Sequence, residues 1–154
     1  MGWKQRWFLV VAALAAASSF ALSVQGGRWW SLGEFSIGPL GTHAPFGDPG
    51  RLSWALGGAR WERLGTATWA AGMIAMFVLI AVAGALAANR IPRLVARTAI
   101  VAIATGALAA TAFVATRPDD GLPLELGRGV ALFAIAVVVG ALAAIGVLRA
   151  RPAG

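Results

Sequence analysis

Four long apolar runs, separated by short polar links and one long one, set the pattern of this chain. They cover Trp7–Val24, Thr66–Ala88, Thr98–Thr116 and Val130–Leu148, with 18, 23, 19 and 19 residues and no Asp, Glu, Lys or Arg among them. At about 1.5 Å of rise per residue, each helix would cross or nearly cross a hydrocarbon core of about 30 Å. A lone strand in lipid would leave its backbone groups unpaired, so helix is the expected state. The links Asn89–Arg97 and Pro118–Pro123 are short and hold Pro92, Pro118, Gly121 and Pro123. Short links make antiparallel neighbours, and the expected fold is an all-α transmembrane, up-down four-helix bundle.

The remaining link, 25–65, has 41 residues, among them ten glycines, three prolines, four tryptophans and two phenylalanines. That is too aromatic for a disordered linker. From Trp29 to Ile37 the odd positions offer Trp29, Phe35 and Ile37, with Glu34 and Ser36 opposite. From Arg51 to Leu56, Leu52, Trp54 and Leu56 alternate with Arg51, Ser53 and Ala55. Both stretches read as half-buried strands, the second announced by the turn signal Asp48-Pro49-Gly50. A small antiparallel β-sheet in the first extracytoplasmic loop follows, which must rest on the helices or on a partner.

Charge gives the expected orientation. Lys4, Arg6, Arg90, Arg93, Arg97, Arg149 and Arg151 flank the spans on one side without an acidic residue. On the other side Arg28, Arg51, Arg60, Arg63, Arg117 and Arg128 are balanced by Glu34, Asp48, Glu62, Asp119, Asp120 and Glu125, so the whole net charge of +7 lies on one side. The positive-inside bias makes that side the cytoplasm and places both termini there, in a cell (inner or plasma) membrane. The first run, behind Lys4 and Arg6 and ending near Ser18–Ser23, also has the shape of a cleavable signal peptide, with retention as the favoured reading. The charges form no separate basic domain and are not interleaved with stacking aromatics, which argues against a nucleic-acid partner. The chain holds 59% hydrophobic and 12% charged residues, and its strong Arg-over-Lys bias fits a GC-rich bacterial source.

Runs three and four each bear small residues at four-residue spacing: Ala102, Gly106 and Ala110, then Ala136, Gly140 and Ala144. Such stripes let helix backbones approach closely, either within the bundle or between copies. Trp3, Trp7, Trp61 and Trp69 sit where interfacial belts are expected.

The layout resembles the claudin and peripheral-myelin-protein class: four spans, inside termini, a long first outer loop with strand pattern, and Trp29 or Trp30 just past the first span. The Gly-Leu-Trp motif and paired cysteines of that class are absent here. The resemblance therefore implies topology and loop fold alone.

Catalytic and cofactor chemistry finds little footing. The spans hold no charged residue and no histidine, whereas proton relays and ion-coupled transport use ionisable groups at membrane depth. Ser18, Ser19 and Ser23 lack a base and are expected to hydrogen-bond to their own helix. His43, the single histidine, could serve a metal or acid–base role with Asp48 or Glu34, but reads better as a solvated loop residue. Asp119, Asp120 and Glu125 lack the graded spacing of a calcium loop, and Glu62 between Arg60 and Arg63 reads as an interfacial charge pair. No metal, cofactor or enzymatic activity is expected. The expected function is protein–protein association within the lipid bilayer, with other membrane proteins or with copies of the same chain, and with Trp29, Trp30, Phe35, Trp54 and Trp61 as contact candidates. The same rings could instead fill the core beneath the sheet. The alternatives are an accessory subunit of a larger complex and a small transporter or lipid-handling protein.

Overall fold

In a computed structural model of the chain, residues 1–26, 28–32, 35–43, 58–117 and 125–150 are described. Helix α1 (Trp3–Ala21) runs into a π-helical turn, Leu22–Gly26. Strands β1 (Trp30–Leu32), β2 (Phe35–Gly38) and β3 (Gly41–His43) follow, then α2 (Gly58–Ala87), α3 (Arg93–Ala115), β4 (Glu125–Leu126) and α4 (Arg128–Arg149). Four segments, Trp3–Gln25, Arg60–Ala87, Arg93–Ala115 and Arg128–Arg149, are long and apolar enough to cross a membrane, by length and composition.

The helices exceed their apolar runs where polar residues have a structural task. Helix α2 has 30 residues and begins at Gly58, eight before the apolar run. Its length is about 45 Å, well beyond a hydrocarbon core. The extra turns bring Trp61 to the end of α3. At its other end α2 stops in a Schellman motif: Asn89 takes φ 61°, its N–H bonds to the Leu86 carbonyl, and the Arg90 N–H reaches back to Ala85. Asparagine tolerates this left-handed conformation better than most residues, which suits it to a place usually held by glycine.

Helix α1 packs on α2 and α4, and α3 packs on the same two. Glycines mark the close approaches. A Cβ on Gly140 of α4 would meet Ile103 of α3 at 3.1 Å, Leu79 of α2 at 3.2 Å and Ala16 of α1 at 3.4 Å. One on Gly146 would meet Leu9 at 2.7 Å, and one on Gly72 would meet Val24 at 2.8 Å. The two small-residue stripes thus face inward: Ala102, Gly106, Ala110, Ala136, Gly140 and Ala144 are all buried.

The sheet has the order β3-β2-β1-β4, all antiparallel. Trp30 faces Ile37 across β1 and β2, and Trp30 also faces Leu126 across β1 and β4. Two features differ from the expectation. The stretch Trp29–Ile37 holds two strands, β1 and β2, which pair antiparallel with each other rather than forming one continuous strand. The fourth strand comes from the link between α3 and α4, where the short Pro- and Gly-containing segment predicts no strand. The expected strand Arg51–Leu56, with Trp54 and its turn Asp48–Gly50, lies outside the described residues, as do Glu34, Asp119 and Asp120.

Candidate functional site: an aromatic plug and an apolar groove at the sheet end

Every helix sends one ring to the end of the bundle that bears the sheet: Phe20 from α1, Trp61 from α2, Phe113 from α3 and Phe133 from α4. Trp29 and Trp30 enter among them from the start of β1. Phe20 meets Phe133 edge-on at 5.1 Å between ring centroids, and Phe133 meets Trp29 at 5.3 Å. Trp29 meets Phe113 at 5.8 Å, Phe113 stacks on Trp61 at 4.7 Å, and Trp30 touches Phe113 at 5.2 Å and Trp61 at 5.6 Å. Offset and edge-to-face pairs of this kind add about 0.5–1.5 kcal/mol each beyond area burial. The six rings form one connected cluster that ties all four helices to the sheet.

Hydrogen bonds fix the rings' polar edges. Trp29 Nε1 donates to the Ser23 carbonyl at 3.1 Å, and Trp61 Nε1 donates to the Phe113 carbonyl at 2.8 Å. The π-turn presents Ser23 inward, and its Oγ donates to the Gly129 carbonyl of α4 at 2.7 Å. This corrects the expectation that Ser23 would bond to its own helix: the wider turn redirects the hydroxyl across the bundle. Trp30 Nε1 is buried without an acceptor, which makes it an uncommon kind of group in a protein interior.

Backbone contacts lock the sheet onto α4. The Gly127 N–H donates to the Trp29 carbonyl at 2.8 Å, and the Gly129 N–H donates to the Arg28 carbonyl at 2.7 Å. The second bond satisfies one of the orphan donors in the first turn of α4, which has no side-chain cap. Glycine is required at both positions. A Cβ on Gly127 would lie 2.3 Å from the Arg28 oxygen, and one on Gly129 would lie 2.5 Å from Trp29 Cδ1.

Beside this plug an apolar groove of about 440 Å³ opens between α3 and α4. Ala107, Thr111 and Ala115 form one wall, Val130, Ala134 and Val138 the other, and the buried rings of Trp29 and Phe133 also line it. Thr111 Oγ donates to the Ala107 carbonyl at 2.8 Å, so its hydroxyl is spent within the helix.

No protein-family model matches the chain, and no curated protein sequence does.

Several residues singled out in the sequence take places that change their meaning. Trp29 and Trp30 are 0% exposed and Trp61 is 5% exposed, so their surfaces are already covered by the protein's own rings. Within the chain these three rings fill the core beneath the sheet, the second use considered for them. Phe35 occupies β2, and its side chain and that of His43 lie outside the described residues, as does Trp54. The inward small-residue stripes are used up in bundle packing, so they offer no face to a second copy. Arg60, Glu62 and Arg63 are exposed at the start of α2, and Glu125 is exposed in β4. Among the described residues no group of three or more His, Cys, Asp or Glu side chains could hold a metal ion.

Nothing local in the sequence marks Ser23, Gly127 and Gly129 as anchors, or the groove. The groove's α3 wall repeats small residues at four-residue spacing, one position on from the stripe Ala102, Gly106 and Ala110. In a helix so rich in alanine, more than one face carries that pattern.

Proposed function

We propose that this chain is a non-enzymatic, multi-pass membrane protein that acts by association with other membrane proteins through its sheet-bearing end. Its four helices form an up-and-down bundle with a claudin-like layout. Both termini lie in the cytoplasm and the sheet lies outside.

The observation that carries the reading is an inside-out distribution of apolar side chains. Phe8 is 71% exposed, Leu94 76% and Leu108 74%, and Val11, Ile74, Phe77, Ile80, Ile135 and Leu142 are exposed along the same four helices. A water-soluble monomer rarely exposes so continuous an apolar surface; lipid would cover it at no loss. The arrangement is supported by the pairing of helix ends. Phe20 meets Phe133 near one end of α1 and α4, while Leu9 lies by Gly146 near the other. Arg6 reaches Asn89 at the end of α2, and Arg93 donates to the Ala150 carbonyl after α4.

Association is favoured over transport because the interior offers no polar route among the described residues. Ser23 and Thr68 are its buried polar side chains, and each donates to a backbone carbonyl. The aromatic plug closes the sheet end. Among the described residues, what remains open to a partner there is the sheet's two edges, β3 and β4, with Leu126 66% exposed on the latter. Sheet edges with unpaired backbone groups are natural templates for a partner segment. Phe35 and Trp54 stay contact candidates on sequence grounds.

Crosslinking in native membranes, followed by mass spectrometry of what copurifies with the tagged full chain, tests this reading. A defined partner set, or the chain's own copies, should crosslink near 125–126 and be lost with Leu126→Glu. Recovery of the chain alone, or partners that ignore Leu126→Glu, would refute association through this end.

A further inference from the structure

We propose that the groove between α3 and α4 seats an acyl chain of an anionic phospholipid, whose headgroup is held by Arg117 and Arg128. The inference rests on the reading of the helices as membrane-spanning. It is independent of the proposed association through the sheet.

The groove's depth fits a lipid of one leaflet. Its α3 wall runs from Ala107 to Ala115, which is about 12 Å of helix at 1.5 Å per residue. Half of a hydrocarbon core is about 15 Å. The groove therefore occupies the sheet-end half of the two helices and stops near the middle of the bundle. A partner helix, about 10–12 Å across, would track the whole length of α3 and α4 rather than half of it. The volume of about 440 Å³ is that of a small-molecule site. Its walls suit a hydrocarbon tail, since alanine, valine and aromatic carbon face it and Thr111 has already spent its hydroxyl.

The charge at the mouth selects the headgroup. Helix α3 ends at Ala115, a wall residue, and Arg117 follows two positions later. Helix α4 opens with Arg128, so the two arginines stand at the sheet-end termini of the two helices that wall the groove. Both arginines are exposed, and neither forms an ion pair among the described residues. Glu125, exposed in β4, precedes Arg128 by three positions in the chain. Two long, exposed side chains at the ends of the walls can reach over the slot, where their guanidinium groups would complement a phosphate-bearing headgroup above its tail. The planar guanidinium donates two parallel hydrogen bonds to phosphate oxygens.

The test is native mass spectrometry of the full-length chain in detergent, titrated with phosphatidylglycerol and with phosphatidylcholine of the same dioleoyl tails. The wild type is expected to bind phosphatidylglycerol more tightly, by roughly fivefold for each arginine. Arg117→Gln with Arg128→Gln should remove that preference and leave the weaker, headgroup-blind binding. Ala107→Leu and Ala134→Leu, which fill the groove, should lower binding of both lipids, whereas Thr105→Leu, exposed on the other side of α3, should not. Equal affinity for the two lipids, or a preference that survives the double arginine substitution, would overturn the headgroup assignment. If Ala134→Leu left lipid binding intact but turned a dimer into a monomer, the groove would belong to a second copy and the proposal would fail. Because the arginine variants sit on the surface, they test the site even if a groove-filling variant does not fold. Loss of all lipid binding in the wild type would count against the spanning reading itself, which topology labelling checks separately.

Discussion

The two ends of the bundle are built from different materials. At the sheet end six aromatic rings fill the space between the helices, and backbone groups of Arg28, Trp29, Gly127 and Gly129 bond directly to one another. At the far end the core is alanine and aliphatic: Ala13, Val82, Leu86, Ala96, Ala99, Ala143 and Val147. There the helix ends are tied by long side chains, with Arg6 donating to the Asn89 amide oxygen and Arg93 to the Ala150 carbonyl, where the helix dipole favours a cation. Small side chains let helices meet closely without any one residue mattering much. Rings and backbone bonds hold a single geometry and tolerate little change. The sheet end should therefore be the rigid, substitution-sensitive half, and the far end the forgiving one.

The sharpest way to break that contrast is at Gly129. Gly129→Val would place its Cβ 2.5 Å from Trp29 Cδ1 and 2.8 Å from the Arg28 carbonyl oxygen. Neither can withdraw without detaching the sheet from α4, so a loss above about 4 kcal/mol is expected, seen as failure to recover monodisperse protein in detergent. Next comes Trp29→Ala, which empties the centre of the ring cluster and strands the Ser23 carbonyl. It should cost about 3–5 kcal/mol in equilibrium unfolding.

At the far end Asn89→Ala forces a left-handed conformation on a residue that resists it, at about 1–2 kcal/mol. Asn89→Gly should recover the backbone share of this and leave the loss of the Arg6 contact. The smallest effects separate neighbours. Trp29→Phe removes a satisfied indole donor and should cost about 1 kcal/mol, whereas Trp30→Phe removes a buried donor without an acceptor and should be close to neutral or stabilising. Gly84→Ala, with nothing within 4 Å of the added Cβ, should gain up to about 1 kcal/mol of helix propensity. A Gly84 variant as damaging as the Gly129 one would erase the contrast.

How much of this was legible in the sequence follows from the range of the forces involved. The four helices were readable because uncharged runs of 18 to 23 residues must satisfy their backbone locally once in lipid. The small-residue stripes were found, yet which face turned inward was not, because alanine on several faces leaves no amphipathic signal. Strand alternation near Trp29 was visible, but its division into the antiparallel pair β1 and β2 was not, since Trp30 and Ile37, both buried, face each other across the pair. Strand β4 is two residues long and exists through its pairing with β1, nearly a hundred positions away, which no local pattern encodes. The start of α2 at Gly58 was missed because those turns are polar and are held by the tertiary contact of Trp61 with Phe113. For the same reason the aromatic residues of the 25–65 link were legible as important but not as interior.

The account stands most directly on which ends of the helices share a side of the membrane. The chain has no cysteine, so single cysteines can be introduced at exposed positions and labelled in intact cells with a membrane-impermeant maleimide. Arg28→Cys and Glu125→Cys at the sheet end should label in intact cells. Gln5→Cys, Ala88→Cys and Arg149→Cys should label after permeabilisation alone. Labelling of Gln5→Cys and Ala88→Cys from opposite sides, or of Gln5→Cys from the same side as Arg28→Cys, would contradict the up-and-down spanning arrangement.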